Sequence, residues 1–139
     1  MHLTVRKPPG RELARVLLVD DDVTSRLTLK AVLEAGGYFV DSAASAAEAV
    51  GKLDEKQYEL VVSDLQMESP EAGLKVLAHA RLMKYKPATA ILTTHQNRQL
   101  DMARPLLIAP QDLPGLLSKV ADLISQRAVR IVKRQLKLA

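Results

Sequence analysis

The stretch Arg15-Val16-Leu17-Leu18-Val19-Asp20-Asp21-Asp22 decides the fold, because an apolar run of strand length stops abruptly at three carboxylates. A short continuous apolar run is typical of a parallel strand that is covered on both faces. A second run of this kind, Glu59-Leu60-Val61-Val62-Ser63, ends on Asp64. Two such strands, each followed by carboxylates, predict a sheet with acidic residues along one edge.

Strand and helix patterns alternate along the rest of the chain. Helices are predicted over residues 24–35, 46–53 and 72–84 and from Asp112 almost to the C-terminus, with further strands at 38–43, 90–93 and 105–109. This alternation predicts an α/β fold, with a parallel sheet, right-handed crossovers and helices on both faces. A chain of 139 residues is long enough for one core and too short for two comfortable domains.

The amino-acid composition limits which classes of protein and of functional site are possible. Hydrophobic residues make up 47% of the chain and aromatic residues only 3%, so aliphatic side chains must build the core. The absence of cysteine excludes disulfides, thiol catalysis and thiolate metal sites. We find no apolar run of signal-peptide or membrane-spanning length, and therefore expect a cytoplasmic protein without a membrane span.

The net charge of +4 is unevenly distributed. Between Val16 and Gln126 there are 11 basic and 15 acidic residues, so both ends are basic and the middle is acidic. Pro8-Pro9-Gly10 is typical of a flexible segment. We therefore divide the chain into a flexible lead-in at residues 1–14, one domain at 15–127 and a basic extension at 128–139.

The residues that end three of the strands carry oxygen ligands: Asp20 and Asp21, then Asp64, then Thr93. Ligands of open α/β sheets bind beyond the carboxyl ends of the strands, where these side chains are expected to meet. Gathered carboxylates repel one another unless a cation lies among them, and oxygen ligands without His or Cys suit Mg²⁺. A carboxylate beside Mg²⁺ can act as a nucleophile toward phosphorus, with Thr93 donating a hydrogen bond to the phosphoryl group. A single strand-end Asp is more simply a turn former or helix cap, but two acidic strand ends favour the functional interpretation.

Three segments together resemble the signature segments of response-regulator receiver domains of the chemotaxis type. They are Val16-Leu17-Leu18-Val19-Asp20-Asp21-Asp22, Glu59-Leu60-Val61-Val62-Ser63-Asp64-Leu65-Gln66-Met67 and Ile91-Leu92-Thr93-Thr94-His95. The resemblance runs from about residue 15 to 127. It implies a flavodoxin-like, doubly wound, five-stranded parallel sheet of strand order 2-1-3-4-5.

The resemblance also implies roles for individual residues. Asp64 matches the aspartate that is phosphorylated, and Thr93 matches the hydroxyl that contacts the phosphoryl group. Asp21 and Asp64 match direct Mg²⁺ ligands, Asp20 matches the acidic partner that holds metal-bound water, and the backbone carbonyl of Gln66 matches the third protein ligand. The implied partners are a sensor histidine kinase or phosphotransfer protein as donor and a downstream protein target. The implied role is phosphoacceptor signalling in a two-component phosphorelay rather than enzymatic turnover, apart from a weak autophosphatase activity.

The sequence departs from the receiver pattern at the fifth strand. Ala109 stands where the lysine of the family's Lys-Pro pair is expected, and Leu106 where the switch aromatic is expected. The interval of residues 96–104 leaves room only for a short or irregular fourth helix. Whether Arg98 or Arg104 replaces the missing lysine stays open.

Three functions compete on this sequence. The first is a stand-alone receiver that accepts a phosphoryl group on Asp64 with Mg²⁺ and signals by protein contact. The second is a pseudo-receiver, an interaction module that works without phosphorylation. The third is a haloacid-dehalogenase-type phosphatase, because Asp20-Asp21-Asp22-Val23-Thr24 fits its motif with Asp20 as nucleophile and Asp22 as acid/base; that family's lysine and later acidic pair are missing in register.

The last predicted helix continues past the expected end of the domain. Apolar residues recur every seven positions, at Leu117, Ile124, Ile131 and Leu138. About twelve residues beyond residue 127 would add ~18 Å of helix with no part of the domain to cover it. This favours a homodimer through the C-terminal helix. The lack of interleaved aromatics and of a recognition helix-turn-helix argues against nucleic-acid binding.

Overall fold

The computed structural model describes residues 14–64, 67–69, 71–92, 106–108 and 113–138. The lead-in up to residue 13 and the predicted fourth helix at 96–104 lie outside these ranges. Strands and helices alternate in the order β1 (Arg15–Val19), α1 (Val23–Ala35), β2 (Phe39–Ala43), α2 (Ala46–Glu55), β3 (Leu60–Asp64), α3 (Ala72–Leu82), β4 (Ala88–Leu92), β5 (Leu106–Ile108) and α4 (Leu113–Leu138).

The strands form one parallel sheet in the order β2-β1-β3-β4-β5. The α/β class and the parallel sheet are therefore confirmed. Val19 is in register with Ala43 on one side and with Ser63 on the other, so β1 and β3 end side by side. Strand β4 begins two residues earlier than predicted, because Ala88 pairs with Leu60 and its N–H donates to the carbonyl of Glu59 at 2.9 Å.

Strand β1 separates two aliphatic cores. Leu18 faces the first core, which the helices α1 and α4 cover, and Leu17 faces the second core, which α2 and α3 cover. Both leucines are buried. This alternation explains why the strand is apolar at every position: a sheet covered on both faces has no solvent side.

Helix ends follow the signals in the sequence. Asp22 caps α1, and its Oδ2 accepts a hydrogen bond from the Ser25 N–H at 2.8 Å. Ser45 caps α2 by accepting from the Glu48 N–H at 3.1 Å. After α1 the chain turns at Gly37, whose φ of 103° lies in the left-handed region that a glycine adopts without strain.

Asp41 on β2 accepts several polar contacts at one carboxylate oxygen. The buried Tyr58 donates its hydroxyl to Asp41 Oδ2 at 2.8 Å, and Lys56 Nζ lies 3.5 Å from the same atom. Burial by itself raises the pKa of Asp41, but the hydrogen bond from Tyr58 and the charges of Lys56 and Lys52 outweigh it and hold that pKa below its ordinary value of 3.8. Burial and the bond to Asp41 raise the pKa of Tyr58. The folded state thus favours an ionised Asp41 beside a neutral Tyr58.

This pair predicts a loss of stability in acid. A carboxyl whose pKa is lower in the folded state stabilises the fold above its unfolded-state pKa, and that contribution is lost as pH falls through the folded-state pKa. We expect the urea midpoint of the wild type to fall as pH is lowered below about 4. Asp41→Asn keeps an oxygen that can accept from Tyr58 but cannot titrate, so its midpoint should fall less steeply over the same range. If the urea midpoints of the two proteins fell equally steeply with pH, the assignment of the acid-induced loss of stability to Asp41 would be contradicted.

Helix α4 spans Leu113–Leu138, which confirms the predicted extended C-terminal helix. Leu117 and Ile124 pack against the first core and so belong to the domain. The helix is further attached through Arg127, whose Nη2 and Nε donate to the carbonyls of Tyr85 and Lys86 at 2.7 and 2.9 Å. Beyond this point the large apolar side chains that are exposed among the described residues are Val129, Val132 and Leu136. None of these three belongs to the seven-residue repeat, so the face left for a partner differs from the one that the repeat predicts.

Within the part of the chain that the structure describes, no helix is both long enough and apolar enough to cross a bilayer.

Candidate metal and phosphoacceptor site

Three carboxylates meet at the carboxyl edge of the sheet. One oxygen from each of Asp20, Asp21 and Asp64 lies within 4.8 Å of the other two. Asp20 and Asp21 directly follow β1, and Asp64 is the last residue of the neighbouring β3. The parallel register that ends these strands side by side is therefore what assembles the acidic pocket, defined here by these three residues.

The three carboxylates differ in exposure and in support. Asp20 is buried, with only 1% of its surface exposed, whereas Asp21 is exposed and Asp64 is half-buried. Asp20 Oδ1 accepts from the Asp22 N–H at 3.0 Å, and the N–H of Asp20 donates to the Ala43 carbonyl at 3.0 Å. The buried, hydrogen-bonded Asp20 thus forms the floor of the pocket, and the pocket is open to solvent at Asp21.

Residues around Asp64 fix the strand end that carries it. The buried Ser63 donates its hydroxyl to the Gly73 carbonyl in α3 at 3.2 Å. Met67 is buried in the second core and so attaches the loop after β3 to the domain. In the same loop, Glu68 Oε2 accepts from the Ala46 N–H at 3.3 Å. Asp64 therefore stands on a strand whose continuation is attached to α2 and α3.

The donor set fits a hard cation. Mg²⁺ binds oxygen at about 2.0–2.1 Å, so two of its ligands are separated by at most about 4.2 Å. The observed limit of 4.8 Å between the carboxylate oxygens is within a small rotamer change of that geometry. All three donors are carboxylates, which suits Mg²⁺ and not a metal that prefers nitrogen or sulfur. Asp20, Asp21 and Asp64 could therefore hold Mg²⁺.

Several residues singled out from the sequence lie outside the described residues. These are Gln66, Thr93, Arg98, Arg104 and Ala109. Leu106 is the first residue of β5, where its backbone pairs with Ala90. Their assigned roles stay predictions, including the replacement of the missing lysine by Arg98 or Arg104.

Asp22 is not part of the acidic pocket. Its carboxylate accepts the Ser25 N–H as the cap of α1, and its backbone N–H donates to Asp20. This is the capping role that a lone strand-end Asp commonly has. The phosphatase hypothesis needs Asp22 as an acid/base, and the structure gives that side chain a capping role.

Arg26 is a contact to the pocket that the sequence analysis missed. Its Nη1 donates to the backbone carbonyl of Asp20 at 2.8 Å. Because Arg26 follows the cap of α1 by four residues, it stands one helical turn above it, a spacing that is the only sequence signal for this contact. A guanidinium at this position attaches α1 to the residue that forms the base of the pocket.

The sequence matches the family described as the response regulator receiver domain over residues 16–109. The chain belongs to this family. It is 36% identical over 90 residues to a gliding motility regulatory protein of Myxococcus xanthus, covering 65% of this chain and 11% of that one. It is also 31% identical over 121 residues to the transcriptional regulatory protein GlrR of Escherichia coli, covering 83% of this chain and 27% of that one. The chain thus spans about a tenth to a quarter of the length of these two relatives.

Solved receiver structures share the fold. The response regulator TrrA of Thermotoga maritima, solved in complex with Mg²⁺ and BeF, superposes with a TM-score of 0.71 at 30% identity, covering 80% of this chain and 99% of that one. The chemotaxis protein CheY4 of Vibrio cholerae gives a TM-score of 0.69 at 26% identity, covering 80% and 98%. The flavodoxin-like receiver fold is confirmed.

Membership of the family settles the general class of activity. Receiver domains are signalling domains of two-component systems, interact with histidine kinases and downstream effectors, and bind Mg²⁺ through an acidic pocket. The pocket of Asp20, Asp21 and Asp64 lies at the carboxyl edge of this sheet. The predicted resemblance to the receiver family is confirmed.

Proposed function

We propose that this receiver accepts a phosphoryl group on Asp64 with the help of Mg²⁺ and signals by protein contact. The observation that carries the proposal is the meeting of Asp20, Asp21 and Asp64 within 4.8 Å at the carboxyl edge of the sheet. The donor is a phosphohistidine on a sensor histidine kinase or a phosphotransfer protein. The expectation that the receiver acts without an attached output domain stays a prediction.

The residues divide the work of the transfer. A carboxylate oxygen of Asp64 bonds to phosphorus while the bond from phosphorus to the donor nitrogen breaks. Mg²⁺ would be held by Asp21, Asp64 and the backbone carbonyl of Gln66, and by the buried Asp20 through water. When bound, Mg²⁺ neutralises the charge on the phosphoryl oxygens. The Thr93 hydroxyl donates to one of those oxygens.

The departures at β5 limit what the phosphoryl group can do. With Ala109 in place of a lysine, one charge-assisted contact to the phosphoryl group is missing. With Leu106 in place of an aromatic, the rotamer switch of the family is missing too. Because the lysine and the aromatic are both missing, the pseudo-receiver remains the competing hypothesis.

The output is proposed to be a protein contact, including a homodimer through α4. The exposed Val129, Val132 and Leu136 recur at intervals of three and four residues, so they share one helix face. A second copy would cover this face. The expectation against nucleic-acid binding stays a prediction, since relatives such as GlrR are transcriptional regulators.

A phosphodonor experiment separates phosphoacceptor from pseudo-receiver. The chain is incubated with acetyl phosphate and either Mg²⁺ or EDTA, and its intact mass is measured. We expect one added phosphoryl group per chain with Mg²⁺ and none with EDTA. An unchanged mass in the sample whose Mg²⁺ binding has been verified by calorimetry would support the pseudo-receiver instead.

A further inference from the structure

A basic groove lies at the opposite edge of the sheet from the acidic pocket. It has a volume of about 500 Å³ and runs between the turn that precedes β4 and the last turns of α4. Arg81 and Lys86 contribute from the side of α3, and Arg130 and Arg134 from the side of α4. Pro87 and Ala88, where β4 begins, also line it. We define the basic groove by these six residues.

The groove concentrates positive charge on a domain that is acidic elsewhere. Residues 16–126 carry four more acidic than basic side chains, yet among the described residues no carboxylate lines the groove. Its four cations are exposed to solvent. They come from three segments, namely α3, the turn before β4 and α4, so helical spacing alone does not explain why all four line one groove. The electrostatic potential at the groove is therefore positive, whereas the surrounding domain carries a net negative charge.

The two walls of the groove are held together. Arg127 on α4 donates to the carbonyls of Tyr85 and Lys86, which fixes the turn against the helix. Lys86 adopts a φ of 47° and donates its Nζ to the Arg81 carbonyl at 3.0 Å. An ammonium has three donors, so Lys86 retains donors for a ligand. The cations are thus presented by a fixed backbone, which lowers the ordering cost of binding.

The helix face that forms one wall changes character along its length. Leu116, Val120 and Leu123 pack that face of α4 into the first core. Arg130 and Arg134 follow Leu123 at seven and eleven residues, which keeps them on the same face. The face of α4 that packs against the sheet before Arg127 therefore presents guanidinium groups to the groove beyond Arg127.

We propose that the basic groove binds a small oligophosphate, a ligand that carries two or three linked phosphate groups. Four cations line a groove of about 500 Å³, which favours a small ligand that carries several negative charges. Linked phosphates supply them within a few ångströms, whereas same-side carboxylates of an extended acidic peptide recur only about every 6.6 Å. Guanidinium groups also bind phosphate oxygens in pairs. This site is separate from the acidic pocket and does not depend on phosphorylation of Asp64.

Calorimetric titration with inorganic tripolyphosphate and pyrophosphate tests the proposal. Mg²⁺ is left out, so that the acidic pocket is not engaged. We expect saturable binding at one site per chain, tighter for tripolyphosphate and weakened by added salt. In an NMR titration, the backbone amide signals of Lys86, Ala88 and Thr89, which line the groove, should shift while those near Asp64 stay in place. The absence of saturable binding would overturn the proposal.

Two matched variants separate the groove from general charge on the helix. Arg130→Gln with Arg134→Gln removes two cations from the groove, and Lys133→Gln with Lys137→Gln removes two exposed cations of the same helix that do not line it. We expect the first pair to weaken tripolyphosphate binding by about tenfold or more and the second by less than about threefold. Arg81→Gln, on a different element, should weaken it too. Equal losses in both pairs would show nonspecific attraction and overturn the proposal.

A comparison of binding affinities tests whether the groove prefers a larger anion. A short DNA duplex and an acidic peptide are titrated under the same conditions. If either binds more tightly than tripolyphosphate and loses that affinity in the Arg130→Gln, Arg134→Gln variant, the groove belongs to that macromolecule and the oligophosphate proposal fails. Weaker binding of both supports it.

Discussion

Replacing Asp64 with asparagine is expected to abolish phosphoryl incorporation completely. The amide side chain would have no carboxylate oxygen to form the bond to phosphorus, and no other carboxylate of the pocket stands at the end of β3. The loss should be at least about a hundredfold in the rate of labelling, the scale on which removal of a nucleophile acts. Intact-mass measurement after incubation with acetyl phosphate and Mg²⁺ gives the readout.

Asp22→Asn is the matched control for this experiment. It makes the same chemical change two residues after Asp20, but at the cap of α1, where asparagine caps about as well as aspartate. We expect this variant to be labelled like the wild type. If labelling survives Asp64→Asn and is lost in Asp22→Asn, the phosphatase hypothesis with Asp20 as nucleophile is revived. Labelling that survives both changes would place the acceptor elsewhere.

Replacing Leu18 with alanine is expected to have the largest effect on stability. Leu18 lies on the central strand β1 and is buried in the first core among residues of α1, α4 and the neighbouring strands. Removing its side chain from such a packed position costs about 3 kcal/mol, within the ~2–5 kcal/mol of comparable substitutions. Urea denaturation of the two proteins measures the difference in free energy of unfolding.

Leu82→Ala makes the same substitution at the end of α3, where the side chain is 75% exposed. There we expect a change within about 0.5 kcal/mol. Because the two residues are chemically identical, the difference between the variants isolates the contribution of burial. Similar losses at Leu18 and Leu82 would mean that the core is not where the structure places it.

The fold was largely predictable because its signals are local. The apolar run of β1, the caps at Asp22 and Ser45 and the turn at Gly37 each follow from neighbouring residues. The acidic pocket was predictable for a related reason: carboxyl ends of parallel strands share one edge. The sequence alone therefore predicts that Asp20, Asp21 and Asp64 lie close together, as they do.

Other features could not be predicted because they join residues far apart in the chain. The bond between Tyr58, which precedes β3, and Asp41 on β2 joins residues 17 positions apart, and the contact of Arg127 with the turn at Lys86 depends on how α4 packs against the domain; neither leaves a periodic pattern in the sequence. The start of β4 at Ala88 was missed for the same reason, since pairing with Leu60 extends a strand whose first residues are only weakly apolar. The seven-residue repeat of α4 was misleading in part: Leu117 and Ile124 belong to the domain's own core.

The attachment of α4 at Arg127 has a mechanical consequence. From that residue to Leu138 the helix projects as a rod of about 17 Å, anchored at one end by two hydrogen bonds to the turn before β4. A rod anchored in this way converts a small tilt at its base into a larger sideways displacement at its tip. A partner that binds the tip of the helix therefore responds to the orientation of the whole receiver without contacting the acidic pocket.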